Sequence, residues 1–279
     1  VGLVVNVIAT AGIGNTFSLM ITNWSGNSLL IAIILVGLAS LVLGMGLPVT
    51  AAYIVLGTLS APALYNLIVD GQIIQMFTSG AVSEEVKAIL MLAVPDRLDM
   101  LNQPLSPEAA RELLDLIPPD LAGTLREMSL SAEAATFALL SAHMIIFWLS
   151  QDSNVTPPVC LAAFTGAAIA GTPPMATGLR SWKIAKGLYI IPLLFAYTPL
   201  LGGSWPEIFT VFIFALAGLY AFTCALQGYM ENPIRLPVRL CLLLLAVALL
   251  MPTTLIFQAA ALGCLLLLLV VNLKKKSGG

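Results

Sequence analysis

The sequence predicts an all-α, polytopic membrane protein with one discontinuous helix and one re-entrant hairpin. Of its 279 residues, 59% are hydrophobic and 9% are charged, against roughly 25% charged in an average soluble domain. The mean hydropathy is +0.99. Apolar stretches recur along the chain, and about 20 such residues are enough to cross a hydrocarbon core about 30 Å thick. These observations exclude a soluble globular protein.

Residues 1–69 are predicted to form membrane helices and the re-entrant hairpin. Apolar stretches cover residues 2–21 and 29–43. The chain opens directly inside the first stretch with no initiator Met and no basic segment before it. A signal peptide is therefore not indicated, and we expect the sequence to be the C-terminal part of a longer protein.

A glycine- and proline-rich segment, LGMGLPVTAA, follows the second stretch and carries Gly44, Gly46, Pro48 and Thr50. Glycine permits close backbone approach and proline ends a helix, so this segment is predicted to form the tip of the re-entrant hairpin. A packing notch between two helices is the alternative interpretation.

Residues 70–133 are predicted to form an acidic insert outside the membrane. This segment holds eleven of the fourteen acidic residues and four of the twelve basic ones. Ser83 and Ser106 each precede acidic residues in the pattern of a helix N-cap, so short amphipathic helices are expected. The insert is either a solvated surface elaboration or a docking surface for an external partner.

Residues 134–228 are predicted to contain the broken helix and the membrane spans that follow it. Six polar side chains fall within the seven residues 150–156, between two apolar arms, and Pro157 and Pro158 come next. Unwound backbone is tolerated at membrane depth only where protein buries it or a cavity surrounds it. The helix from Ala132 should therefore end near residues 150–153, at a binding site. A polar kink hydrogen-bonded into helix packing is the alternative.

The two ends of this break are expected to favour opposite charges. Unpaired carbonyls would end the first half-helix and suit a cation, for which Asp152 would be a partner. A second half-helix would begin at Pro157 or Pro158, with Thr156 as its N-cap. Its unpaired N–H groups would suit a carboxylate. Discontinuous helices of secondary transporters hold a coupling ion beside an anionic substrate in this way.

Residues 229–279 are predicted to form a C-terminal helical hairpin with a basic tail. Basic residues cluster at 180–186, 235–239 and 274–276, whereas the loops 202–207 and 252–254 have none. This alternation predicts four successive crossings from residue 187 onward, with the basic clusters and the C-terminus in the cytoplasm. The acidic insert would then lie on the external face.

Several other functions find no support in the sequence. An aspartyl intramembrane protease needs two aspartates within the membrane, and only Asp152 qualifies. A zinc protease needs an HExxH motif, but His143, the sole histidine, is followed by Met and Ile. Neither a nucleotide-binding loop nor transition-metal spacing occurs. Basic residues are too sparse for nucleic-acid binding. A passive channel or a scaffold subunit of a membrane complex stays open as an alternative function.

Two segments resemble the second structural repeat of the large membrane subunit of TRAP transporters, in particular the fused permease of the TAXI type. They are LGMGLPVTAAYIVLGTLSAPAL at 43–64 and HMIIFWLSQDSNVTPPVCLAAFTGAAIAGTPPMATGLRSWKIAKG at 143–187. The resemblance extends over most of residues 1–230. It implies one half of an inverted-repeat, elevator-type carrier in the bacterial inner membrane, driven by sodium rather than ATP and without enzymatic activity.

The resemblance also implies a set of partners and a division of the site. A periplasmic substrate-binding protein would deliver a small carboxylate to this chain, and an upstream half of the permease would complete the cavity within the membrane lipid. No cofactor beyond the coupling ion Na⁺ is expected. The ion would be held around Gly44, Gly46, Pro48, Asp152, Ser153 and Asn154. The substrate would lie near Thr50, Thr156, Pro157 and Pro158.

Overall fold

The computed structural model describes residues 2–274 as a series of helices, with no β-strand among them. The helices, in order, are α1 Gly2–Thr10, α2 Ile13–Ser25, α3 Leu29–Gly44, α4 Val49–Ser79, α5 Glu84–Ala93, α6 Pro107–Asp115, α7 Pro119–Ser129, α8 Ala132–Ser150, α9 Leu161–Ala170, α10 Pro174–Ile184, α11 Ile191–Tyr197, α12 Trp205–Gln227, α13 Leu236–Leu250 and α14 Leu255–Lys274. The predicted all-α, polytopic fold class is confirmed. Residues 275 and 276 of the predicted basic tail lie outside the described residues.

Four segments of the described chain are long and apolar enough to cross a membrane. They are α4, the segment Ala132–Asn154 that contains α8, α12 and α14. At 1.5 Å per residue, the 31 residues of α4 extend for about 46 Å, which exceeds the hydrocarbon core. Shorter apolar helices are α3, α9 and α13.

The chain divides into two compact units. The first contains the residues up to Val36 together with Ile54–His143. The second contains Gly37–Tyr53 and the chain from Met144 onward. Both interruptions singled out in the sequence therefore belong to the second unit.

In the first unit, the predicted apolar stretch 2–21 is two helices rather than one. The chain turns between α1 and α2 at Gly12, whose φ of 65° lies in the left-handed region. Glycine adopts this conformation without a steric penalty, so it allows a break that most residues would resist. The Ser18 hydroxyl donates to the Leu59 carbonyl at 2.8 Å and joins α2 to α4.

The acidic part of the first unit folds into the expected short helices. Ser83 accepts from the Val86 N–H at the start of α5, and Ser106 accepts from the Ala109 N–H at the start of α6. Both N-caps are confirmed. The membrane helix α4 continues past Asp70, and the Asp70 carboxylate accepts from Arg126 Nε and Nη2 at 2.7 and 3.0 Å. This bidentate pair joins α4 to α7.

In the second unit, α9 and α10 form a helical hairpin. Ten and eleven residues give each arm about 15 Å, half of the hydrocarbon core. Gly178 of α10 lies so close to α9 that an added Cβ would be 2.6 Å from Cys160 Sγ and 3.2 Å from a Phe164 ring carbon. Gly178 therefore permits the tight packing of the two arms.

The crossing predicted for residues 187–201 is wrong as a single membrane helix. A 3₁₀ helix over Ala185–Tyr189 precedes α11, which has only seven residues, or about 10 Å. Pro192 stands in the first turn of α11, where proline starts a helix rather than continuing one. The apolar composition of this stretch therefore does not make one continuous span.

Helices α12, α13 and α14 surround a hydrophobic core of their own. Ala221 of α12, Leu242, Ala246 and Leu249 of α13, and Leu265 of α14 are buried in it. Gly228 ends α12 in the left-handed conformation, and Arg239 donates to the carbonyls of residues 225 and 226. A cation at this position is favourable because the C-terminal end of a helix carries partial negative charge.

Candidate functional site

The predicted interruption of the helix that starts at Ala132 is confirmed. Helix α8 ends at Ser150, a 3₁₀ turn covers Asp152–Asn154, and regular helix resumes only at Leu161. Pro157 and Pro158 lack the N–H group needed to continue the backbone ladder, and proline disfavours helix in the residue before it. The ten residues between α8 and α9 are thus held out of a regular α-helix by the local sequence.

The predicted start of the second half-helix is wrong. Helix α9 begins at Leu161 with Cys160 at the N-cap position, not at Pro157 or Pro158 with Thr156 as cap. The Thr156 carbonyl accepts from the Cys160 N–H at 3.2 Å, but the Thr156 hydroxyl pairs with Tyr189. A turn through the two prolines occupies the intervening residues, so the helix starts about one turn later than the sequence suggested.

The carbonyls at the end of α8 were predicted to be unpaired, but three of them accept hydrogen bonds. Gln151 N–H donates to the Trp148 carbonyl at 3.1 Å. The hydroxyls of Ser40 and Ser153 donate to the carbonyls of Leu149 and Ser150 at 3.0 and 3.3 Å. A carbonyl oxygen has two lone pairs, so each keeps the capacity to accept or coordinate once more.

The glycine segment lies against this break through Gly44. An added Cβ at Gly44 would overlap the Cβ of Ser153 and lie 2.9 Å from its Oγ. The residue beyond, Gly46, has nothing within 4 Å of such a Cβ. The predicted proximity of the two interruptions is therefore confirmed at the end of α3, where only glycine leaves room for Ser153.

The remaining members of the glycine segment are placed differently. Gly46, Pro48 and Thr50 are exposed, with Thr50 in the first turn of α4. The chain reverses between α3 and α4 through a turn in which the Gly46 N–H donates to the Leu43 carbonyl at 3.1 Å. Of the two glycines of the segment, Gly44 thus lies in close contact with the break and Gly46 does not.

Asp152 is the most unusual residue of the break. It is 2% exposed, and its Oδ1 atom has no hydrogen-bond partner among the residues that the structure describes. Ser153, 5% exposed, is its neighbour, and Asn154 is half-buried. A buried carboxylate oxygen without a donor is costly unless a cation or a proton compensates it.

Two aromatic residues that the sequence interpretation did not assign complete the surroundings of Thr156. Tyr189 places its hydroxyl 2.9 Å from Thr156 Oγ1. The Trp182 indole N–H donates to the same Tyr189 oxygen at 3.2 Å. Their only sequence signal is their position within or just after the basic cluster at 180–186.

The groups at the break are chemically suited to a hard cation. Carboxylate, hydroxyl and carbonyl oxygens dominate, and such ligands are typical of alkali and alkaline-earth ions rather than of transition metals. Within residues 2–274, no group of three or more His, Cys, Asp or Glu side chains is arranged to hold a metal ion. The first turn of α9 carries no acidic residue, so nothing there opposes a nearby anion.

Comparison with known protein families decides the class. The profile of the tripartite ATP-independent periplasmic transporter, DctM component, matches residues 1–201. The chain belongs to the DctM family. It is therefore a membrane permease component of a TRAP transporter, a multi-pass membrane protein, and a member of a transporter family rather than an enzyme family.

The DctM match includes both interruptions and ends before α12. Residues 202–230, which the predicted resemblance also covered, lie beyond it. Neither the comparison with curated proteins nor that with solved structures finds a match. As a component of a tripartite system, this DctM chain works with a substrate-binding partner of the kind that the family uses.

Proposed function

We propose that this DctM chain is the C-terminal permease part of a sodium-coupled carrier of the TAXI type that takes up small organic acids. A periplasmic substrate-binding protein would deliver the acid to the external face. An upstream half of the permease would supply the second set of broken helices. The carrier would reside in the bacterial inner membrane with the C-terminus in the cytoplasm.

The observation that carries this proposal is the buried Oδ1 atom of Asp152, which has no hydrogen-bond partner within residues 2–274. In a transporter that does not use ATP, substrate accumulation requires a coupled ion gradient. A cation beside Asp152 would neutralise its charge, and the second lone pairs of the α8 carbonyls would offer further oxygen ligands. Ser153 and Asn154 extend the same oxygen-rich surface, and Gly44 would close it by its contact with Ser153. Gly46 and Pro48 would act by shaping the turn.

The proposed substrate site lies one turn further along the chain. Thr156, Pro157 and Pro158 form the turn that precedes α9, whose N-terminal end carries partial positive charge. Thr156 would donate to a substrate carboxylate, and the bound sodium would offset its charge. Thr50 is assigned to the substrate only if the upstream half or a conformational change brings it to the turn, because it is exposed here.

The decisive experiment titrates sodium in proteoliposomes that contain the complete transporter with Asp152→Asn. We expect the half-saturating sodium concentration to rise by about tenfold or more, since one favourable charge interaction of about 1.4 kcal/mol corresponds to that factor. Protein abundance should stay close to that of the parent. Asp120→Asn, an exposed aspartate of α7, is the matched control and should leave the titration unchanged.

Three results would overturn the proposal. An Asp152→Asn titration identical to that of the parent would remove Asp152 from the cation site. Uptake that neither saturates with substrate nor requires a sodium gradient would instead favour the passive channel. A scaffold subunit would show neither sodium nor carboxylate dependence in any assembly that contains this chain.

A further inference from the structure

A chain of hydrogen bonds connects Thr156 to two aromatic residues with no assigned role. Tyr189 OH lies 2.9 Å from Thr156 Oγ1, and Trp182 Nε1 lies 3.2 Å from the same Tyr189 oxygen. Thr156 is 7% exposed, and Tyr189 is half-buried. Few water molecules can therefore compete for the Thr156 hydroxyl, and its orientation depends on Tyr189.

The direction of the hydrogen bonds follows from a count of donors and acceptors. The Trp182 indole nitrogen is only a donor, so the Tyr189 oxygen accepts from it. The single Tyr189 proton is then best used by donation to Thr156 Oγ1. Thr156 accepts this bond and retains its own proton for another acceptor. In this arrangement every proton of Trp182 and Tyr189 has a partner, and Thr156 becomes a donor.

The segment that carries Tyr189 is fixed on both sides. Leu188, its neighbour, accepts from the Trp148 indole N–H of α8 at 3.0 Å, and the Trp148 ring packs edge-on against Phe195. Lys186 Nζ lies 5.0 Å from the centre of the Trp182 ring, a cation–π distance. Tyr189 is thus attached to the same helix whose end forms the break, and it can hold Thr156 in one orientation.

We infer that Tyr189, held by Trp182, is a positioning residue that directs the Thr156 hydroxyl proton toward a carboxylate of the substrate. The inference rests on the proposed function and assigns the substrate side of the site, not the sodium side. Because the segment 182–189 makes Thr156 a hydrogen-bond donor, it contributes to the selection of anions by the carrier.

The test uses the complete transporter with its substrate-binding protein in proteoliposomes, with ¹⁴C-labelled pyruvate, succinate and glutamate as probes. For the probe that the parent accumulates, Tyr189→Phe should raise KM by about three- to tenfold, the range expected when one hydrogen bond is lost. The half-saturating sodium concentration should stay within about twofold of the parent value, a change too small to signal a lost interaction. Trp182→Phe should raise KM by a smaller factor.

A matched control and a double variant separate positioning from general disruption. Tyr229→Phe changes a tyrosine of the α12–α13 loop, half of whose surface is exposed, and should have no effect. In a Thr156→Val background, Tyr189→Phe should change KM no further, because it acts through the removed hydroxyl. Thr156→Ser should retain most of the parental affinity, because it keeps the hydroxyl.

The outcomes distinguish this inference from the proposed function. If the parent accumulates none of the three acids under a sodium gradient, the proposed function fails and the inference fails with it. If the parent shows sodium-driven uptake but Tyr189→Phe leaves KM unchanged, the inference alone is overturned. It is also overturned if Tyr189→Phe alters sodium and substrate dependence equally, or adds its full effect to that of Thr156→Val.

Discussion

At the scale of single residues, the site depends on a glycine, Gly44, whose lack of a side chain leaves room for its neighbour. Gly44 allows the end of α3 to meet Ser153, and Ser153 in turn donates to the Ser150 carbonyl. Asp152 lies immediately before this contact. Because Gly44 has no Cβ, the two interruptions can lie close together beside the buried carboxylate of Asp152.

Gly44→Ala tests this contact because the added methyl group would overlap Ser153. We expect a free energy of unfolding lower by about 1–3 kcal/mol, as for other overpacked sites, and a marked loss of sodium-driven uptake. Gly71→Ala in α4 is the control, since no atom of the described residues lies within 4 Å of an added Cβ there. Ser153→Gly should partly restore the Gly44→Ala variant. Equal effects of the two alanine substitutions would contradict the importance of the contact.

At the scale of elements, polar side chains join helices that are far apart in the sequence. Ser40 donates from α3 to the end of α8, and the Asp70–Arg126 pair joins α4 to α7. The two side chains of the ion pair are 16% and 23% exposed. Its bidentate geometry gives it more weight than a flexible surface pair.

Substitution of Asp70 by Asn should loosen the attachment of α7 to α4. We expect the free energy of unfolding in detergent to fall by about 1–2 kcal/mol, in keeping with hydrogen bonds to charged groups, and proteolysis of the segment 80–130 to accelerate. Glu84→Gln provides the control, because Glu84 also pairs with a basic residue, Lys87, but the Glu84 side chain is 86% exposed. If both substitutions gave the same small change, the Asp70–Arg126 pair would be no more than a surface contact.

At the scale of the whole molecule, orientation in the membrane follows from where basic residues lie relative to α12. The loop 202–204 before α12 has no basic residue, whereas Arg235 and Arg239 follow it. Helix α12 has 23 residues, about 34 Å, which is long enough for its ends to lie on opposite sides of the membrane. The positive-inside rule therefore predicts that the Arg235 end lies in the cytoplasm.

Reporter insertions check this orientation directly. Alkaline phosphatase inserted after Gly203 should be active, and green fluorescent protein inserted after Asn232 should fluoresce, because each matures on the side assigned to it. Each reporter placed at the other position supplies the control. The reversed pattern would place the C-terminus outside and remove the basis for assigning the acidic insert to the external face.

Much of the architecture could be predicted from local sequence patterns. The end of α8, the N-caps Ser83 and Ser106, and the all-α class follow from proline chemistry, capping preferences and hydropathy, all of which act within a few residues. The start of α9 and the length of α11 were mispredicted. In both cases proline allows a helix to start nearby but does not specify the residue at which it starts.

The amino-acid sequence by itself determined that this DctM chain is a helical membrane protein with two interruptions, because composition and proline placement act locally. Tertiary structure alone decided that Gly44 is the residue that meets Ser153, that Asp152 Oδ1 is buried without a hydrogen-bond partner among the described residues, and that Tyr189, held by Trp182, reaches Thr156. The physical reason is that these relations join residues more than 25 positions apart or depend on burial by distant helices. No periodicity or motif specifies such packing.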